Sequence, residues 1–486
     1  MPSSETRKNE ILAVLVIGVL MSAIDITIVI LALPTIDSSL HAGVATSIWI
    51  IMAYILVITL LSTQVGKLGD KYGRAKMYNY GIAIFVIGSA LCGLSPDIIS
   101  LIGFRALQAV GGALVGTSST AVVSDNFEPH ERGRAFGFTS LGWNLGSIMG
   151  IFLGGILTTI NWRLIFLINV PIGIVLLPIS IKRLNDVKER IKERFDILGS
   201  ILLGIGLFIL TIMAVYAIYT GFDIESALLL AVSILFFTAF AVRERRITFG
   251  IIDLKIFKNR IFSFSVIASM LQFTASFAVL FILILYLQGV RGLNPFTASI
   301  YLLPGYILGA IVGPRMGRIS DRIGSRLPAT AGLFITLIGY ILYITLLGPY
   351  SPLYYVALIT VFTGIGTGMF FPPNISAIMA NAPHDKYGMA SGINRMFGNV
   401  GMVLSFVIAL TAISTSIPRV DALSIFMGTT IGGLSKSVDL TFMNGLHAAF
   451  ITATAMLVLA MAMSAFRGKE DRSKISKEKR LEKQVA

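Results

Sequence analysis

"GKLGDKYGRAKM", residues 66–77, sets five charged residues among twelve between two long apolar runs, and "GRISDRIGSRLP" repeats its outline at 317–328. Gly66, Asp70 and Gly73 of the first stretch answer to Gly317, Asp321 and Gly324 of the second, 251 residues further on. Two copies of one charged turn, each closing an apolar run and opening another, predict two related halves. A second echo keeps nearly the same register: "NLG" at 144–146 and "NVG" at 399–401 lie 255 residues apart.

The flanking runs decide the class. At 486 residues, 55% hydrophobic, 13% charged and mean hydropathy +0.83, the chain carries more apolar surface than one soluble core could bury. Apolar runs of about 20 residues cross a hydrocarbon layer of roughly 30 Å as helices. The sequence predicts fourteen: 11–33, 46–66, 77–95, 98–122, 135–159, 163–181, 196–219, 224–242, 261–289, 296–316, 327–347, 352–376, 388–412 and 440–466. The charged repeats then follow helices 2 and 10, equivalent points of two six-helix halves. Helices 7 and 8 interrupt the pattern as an insert. The expected units are an N-terminal bundle at 1–190, the insert at 191–250, a C-terminal bundle at 251–466 and a basic solvated tail at 467–486.

An even number of crossings puts both termini on one face, and the basic residues say which. Of 39 lysines and arginines, Arg163, Arg291, Arg419 and Lys436 fall on one face and Arg105 and Arg395 inside helices. All the others fall on the opposite face, which is therefore expected to be cytoplasmic, in a multi-pass protein of the plasma membrane. The net charge of +14 follows from this topology and the basic tail, and calls for no nucleic-acid partner. The single Cys92 excludes an internal disulfide. The N-terminus has no cleavable-signal pattern.

Several ordered stretches now carry a resemblance: "DITIVILALPTI" in helix 1, "GKLGDKYGR" after helix 2, "FRALQAVGGAL" in helix 4 and "NWRLIFLINVPIG" entering helix 6. "DLKIFKNRIF" before helix 9 and "YLQGVRGLNPFTASIYLLP" into helix 10 complete the set. With its two six-helix halves and central two-helix insert, the chain resembles the fourteen-helix drug:proton antiporter branch of the major facilitator superfamily. The resemblance implies an all-α membrane fold of two six-helix bundles plus the insert, and a proton-coupled exporter of amphiphilic, drug-like small molecules working by alternating access. It implies protons as the coupling ion and no other cofactor. A small-molecule substrate and the lipid bilayer are the expected partners, and a monomer the expected state. In the departure that matters, Gly150 is followed by Ile151, where the antiporter branches usually carry a glycine-proline pair.

Physical chemistry assigns parts to particular residues. Asp70 and Asp321 are acids among bases, able to accept hydrogen bonds from helix N-termini and to pair with Arg74 or Arg322. The resemblance puts Gly66, Asp70, Gly73 and Arg74 in a cytoplasmic gate that latches the halves; the plainer reading is that the motif fixes topology. An ionisable group near the bilayer centre costs about 2.5–3.5 kcal/mol or more, so those inside helices point to function. There are three: Asp25, Arg105 and Arg395. Asp25 lies about 12 Å from the outer end of helix 1 and Arg105 about 10 Å from the outer end of helix 4, at 1.5 Å per residue. At one depth in one half, they can offset each other's desolvation, either as a permanent ion pair or as a switch opened by a proton. The resemblance assigns such a pair to proton coupling.

Gly142, Gly146, Gly150 and Gly154 form one face of helix 5, open to close approach by a neighbouring helix. Arg395 lies about 10 Å from the cytoplasmic end of helix 13, a depth that suits gating, an anionic substrate group or snorkelling. Helices 9–14 contain no buried acid on this reading, which argues against a specialist for dications. Polar or aromatic residues of the core helices, Tyr54, Gln108, Trp143, Asn144, Gln272, Phe370, Asn374 and Asn394, are the candidates to line a cavity between the halves. The four histidines show no ligand spacing, so no metal is expected. Gly364, Gly366 and Gly368 sit in an apolar helix, which excludes a nucleotide loop. An enzyme is not expected. The alternative is a proton symporter importing an organic anion on Arg105 and Arg395.

Overall fold

The computed structural model describes residues 4–47, 49–186, 196–247, 250, 252–293, 295–413, 416 and 436–468. Fourteen helices are long and apolar enough to cross a membrane, one for each predicted span. In the N-terminal half they are α1 (Ser4–Leu40), α2 (Trp49–Tyr72), α3 (Arg74–Gly93), α4 (Ile98–Asn126), α5 (Arg132–Ile160) and α6 (Leu164–Arg183, interrupted at Ile168). The insert is α7 (Ile197–Thr220) and α8 (Ile224–Arg246). The C-terminal half holds α9 (Arg260–Ile284), α10 (Pro295–Ile323), α11 (Arg326–Leu346), α12 (Tyr354–Ala380), α13 (Tyr387–Ile413) and α14 (Lys436–Phe466).

Helix ends differ from the prediction for one reason. Hydropathy marks the part of a helix that meets lipid, whereas backbone hydrogen bonding continues into water until a residue breaks it. Thus α1 runs on through Glu5, Arg7, Lys8 and Glu10. Likewise the charged repeats are not loops: Asp70 and Lys71 close α2, and Asp321 and Arg322 close α10. Gly73 (φ 114°) and Gly324 (φ 97°) make the turns, in backbone that favours glycine. Other ends are capped by side chains: Asp97 accepts from Ser100 N at 2.9 Å, and its carboxyl is held below its ordinary value by that bond.

The two halves meet along two crossings, α2 with α13 and α5 with α10, which exchange under the internal repeat. At the end that carries the charged repeats each crossing is backbone on backbone. A methyl on Gly66 would overlap the Gly388 carbonyl, and one on Gly317 the Gly133 carbonyl. Only glycine permits that approach. Within the N-terminal half, α5 presents Gly142, Gly146 and Gly150 to Val16, Leu20 and Ile24 of α1, and Gly154 is buried on the same helix.

The insert lies outside the crossing of α2 and α13. α7 packs on both, and α8 packs chiefly on α7. Leu203, Leu207 and Ala214 are buried there, while Ile201, Ile205 and Phe208 are exposed on the lipid side. Arg243 of α8 donates to Asp196 at 2.7 Å and holds that carboxyl below its ordinary value.

Arg467 is not the first residue of a solvated tail. It is fully buried and donates to Ser265 (3.2 Å), Asn374 (3.0 Å) and Ser325 (2.7 Å), joining the end of α14 to α9, α12 and the start of α11. Three polar groups at neighbouring helix ends supply partners that make the burial tolerable. The tail beyond Gly468, and most of the 413–439 connection with Arg419, lie outside the described residues.

Candidate functional site

Asp25 and Arg105, predicted from depth alone to meet, do so. Arg105 donates to Asp25 Oδ2 at 2.7 Å, with 1% and 0% of the two residues exposed. Gln108 Nε2 donates to Asp25 Oδ1 at 2.8 Å and Asn169 Nδ2 does so at 3.2 Å. Gln108 also accepts from Arg105 at 2.6 Å and donates to Ser89 at 2.6 Å. With the bond from Arg105 Nε to the Ile50 carbonyl at 3.3 Å, five hydrogen bonds replace the water that the carboxylate and guanidinium gave up. Gln108, expected to line a cavity, belongs instead to this closed network. Asn169 was not expected at all; its place in "NVPIG", where α6 resumes after Ile168, is the signal that could have marked it.

The Arg105 guanidinium lies 4.2 Å above the ring of Tyr54. On its other side Tyr54 faces a cavity of about 260 Å³ between the halves. Trp143, Asn144, Asn394 and Arg395 line that cavity with it, as do Phe273, Phe277 and Phe371 from the C-terminal half. Three more expected lining residues are elsewhere. Phe370 is buried in the C-terminal core, Gln272 is buried and donates to Ser276 at 3.0 Å, and Asn374 donates to the Ser265 carbonyl at 2.9 Å while accepting from Arg467. Their helices are apolar on every side, so the sequence offers no stripe from which to read which face turns inward.

At the helix ends that carry them, the two charged repeats make one contact twice. Asp70 accepts from Gly388 N at 2.8 Å and from Met389 N at 2.9 Å, at the first turn of α13. Asp321 accepts from Gly133 N and Arg134 N, both at 2.9 Å, at the first turn of α5. Each carboxylate thus caps a helix of the opposite half, where exposed N–H groups and the helix dipole favour negative charge. Arg74 donates to Asp70 at 2.8 Å and also binds Asp125, an acid at the end of α4 that sequence reasoning passed over. Gly73 makes the turn after α2, and Arg322 sits in the last turn of α10. Nearby, Ser391 donates to the Thr117 carbonyl at 2.6 Å, a further bond between halves.

Comparison with known proteins agrees with this architecture. The sequence pattern of the Major Facilitator Superfamily matches residues 15–406. Riboflavin transporter RibZ of Clostridioides difficile is 33% identical, over 81% of this chain and 86% of its own. The tetracenomycin C resistance and export protein of Streptomyces glaucescens is 28% identical, over 94% and 90%. Multidrug resistance protein 3 of Bacillus subtilis is 31% identical, over 81% and 77%. Among solved structures, the proton:xylose symporter XylE superposes with a TM-score of 0.66 at 14% identity, covering 96% of this chain and 97% of that one.

Proposed function

The chain belongs to the major facilitator superfamily and is a membrane transporter, and from that premise we propose that it is a proton-coupled antiporter exporting amphiphilic small molecules. The observation that carries the proposal is the buried Asp25–Arg105 pair, whose guanidinium lies on the ring of Tyr54, a residue of the cavity wall. Protonating Asp25 would leave Arg105 without its counter-charge. Removing one partner of a buried pair costs about 3–5 kcal/mol. A proton crossing 100 mV releases about 2.3 kcal/mol, and each pH unit adds about 1.4 kcal/mol. The two are of one size, so protonation can change which conformation is preferred.

Alternating access follows from the latches. Asp70 and Asp321 hold the cytoplasmic ends together through contacts that exist only while the halves touch; their release opens the cavity inward. Export is supported by relatives named for resistance or export, and a small organic cargo by those named for riboflavin and tetracenomycin C. The distribution of basic residues supports a plasma-membrane location with both termini cytoplasmic.

The test is transport by purified protein in liposomes under an imposed pH gradient, across lipophilic cations, neutral amphiphiles and organic anions. An antiporter moves cargo opposite to protons, and a protonophore abolishes the movement. Cargo moving with protons would establish the symporter instead, and flux indifferent to the gradient would remove proton coupling.

A further inference from the structure

We infer that the cargo carries an acidic group, and that Arg395 is the residue that receives it. The inference names the substrate class of the cavity just described, and so rests on that cavity being the transport site.

Charge is the first observation. Of the described side chains that line the cavity, Arg395 is the one that bears a charge at neutral pH. Asp25, the nearest candidate acid, is committed to Arg105, Gln108 and Asn169 behind Tyr54 and does not line the cavity. A cationic cargo would therefore meet a like charge and no carboxylate, while an anion would meet a guanidinium. Low local dielectric strengthens both effects.

The second observation is unused hydrogen-bonding capacity. Arg395 makes no ion pair among the described residues, and its buried Nε has no partner. The same holds for Asn399 Nδ2 and for the Tyr54 and Ser269 hydroxyls, all on the cavity wall. Buried polar groups are nearly always satisfied; one acceptor on this wall, Asn394 Oδ1, is also without a partner, but the orphan donors outnumber it, so the wall is a recognition site for an oxygen-rich anion. A guanidinium suits a planar carboxylate or phenolate, which it can hold through two parallel bonds.

Shape is the third. One turn after Arg395, Gly398 lies against Phe273, whose ring is stacked on Phe277 at 6.1 Å and tilted against Phe371 at 4.9 Å. The volume of about 260 Å³ matches a flat body of two or three fused rings. Cargo would lay its rings on the phenylalanines and its acidic group on Arg395. Snorkelling does not account for the geometry, because the guanidinium packs over Gly116 of α4, across the interface, and not toward the water.

Equilibrium dialysis of the purified protein at pH 7.5 tests this with 9-anthracenecarboxylate, 9-anthracenecarboxamide and trimethyl(9-anthracenylmethyl)ammonium. Wild type should bind the carboxylate at least about tenfold more tightly than either analogue. Arg395→Gln should erase that preference while leaving amide binding within about threefold, and Arg395→Lys should keep part of it. Gly116→Ala, whose added methyl would overlap the guanidinium, should weaken carboxylate binding without removing a charge. Equal binding of carboxylate and amide, tightest binding of the ammonium, binding of none of the three, or a preference that survives Arg395→Gln would each overturn the assignment. Because the readout is equilibrium binding, its failure leaves gradient-driven flux to be judged by itself, and loss of proton coupling leaves the binding preference intact.

Discussion

Replacing Asp70 with asparagine should open its end of the interface between the halves by an amount that can be worked out from the contact it removes. The carboxylate accepts two backbone N–H groups of α13, at 2.8 and 2.9 Å. Hydrogen bonds to a charged group contribute about 1.5–3 kcal/mol each, and neutral ones about 0.5–1.5 kcal/mol. Asparagine keeps one acceptor, now neutral, and turns an NH2 toward the second donor. The loss is about 2 kcal/mol after the water-exposed open state regains part of its solvation, roughly a thirtyfold change in the closed-to-open ratio. Asp321→Asn should do the same, since its two bonds to α5 are also 2.9 Å. The latches share no partner, so the double variant should approach the sum. Spin labels at Tyr72 and Ile323, exposed residues beside the two charged turns in opposite halves, would report the change as a new long-distance population in double electron–electron resonance. Cys92 is fully buried and can stay. Distance distributions in both single variants and the double variant that superimpose on wild type would refute the latch.

Asp25→Asn should abolish gradient-driven accumulation while leaving cargo binding measurable, since the amide copies the shape of a protonated acid; wild-type flux in that variant would remove Asp25 from coupling. Single cysteines at 205–213 should react with a thiol reagent regardless of cargo, because α7 lies outside the crossing of α2 and α13, whereas Asn144→Cys should be protected; protection along α7 would put the insert on the pathway. Asn374→Cys should not be protected, since that side chain is bound to Arg467 and the Ser265 carbonyl. Partial burial works to raise the Asp253 carboxyl, but the 2.9 Å bond from Lys386 outweighs it and holds the group below its ordinary value. The stability this pair contributes, under about 1 kcal/mol for so open a pair, should be present above the ordinary carboxylate value of about 3.9 and lost as pH falls through the depressed one. The melting temperature of Asp253→Asn should accordingly sit below wild type by a constant margin from pH 8 to 5 and converge with it only below; a gap that changes between pH 8 and 6 would contradict the assignment.

Hydropathy and charge made the helices and the repeat legible because both are local. A run of twenty apolar residues needs a membrane wherever its neighbours lie, and an acid at the same place in two copies must meet the same partner twice. Asp25 and Arg105 were legible for a related reason: depth along a helix is a count of residues, and an acid and a base buried at one depth of one half offset each other's desolvation by meeting. Rotation about the helix axis is not a count. Gln108, Gln272, Phe370 and Asn374 were chosen for composition, and each turns away from the cavity, because a helix buried on all sides leaves no polar face to orient it. Arg467 failed for the converse reason. A lone arginine after a helix looks the same in sequence whether it meets water or, as here, three polar groups contributed by α9, α11 and α12.

The separation of Asp25 from Arg395 bears on how coupling could work. If a proton and an acidic cargo met at one residue, they would compete for it directly and exchange would follow from occupancy alone. Here the carboxylate belongs to the N-terminal half and the open guanidinium to the C-terminal half, and Tyr54 stands between Arg105 and the cavity. Arg395 also reaches across the interface to Gly116, so the same movement that parts α13 from α4 withdraws the cation from the cavity wall. On the proposed mechanism, protonating Asp25 frees Arg105 from its counter-charge, and the ring of Tyr54, stacked on that guanidinium, is the first group able to register the change. Tyr54→Phe keeps the ring and should keep coupling, whereas Tyr54→Ala removes the ring that touches Arg105 on the cavity wall. Proton-driven flux in Tyr54→Ala at the wild-type ratio of cargo to proton would mean that the two halves communicate through the latches instead.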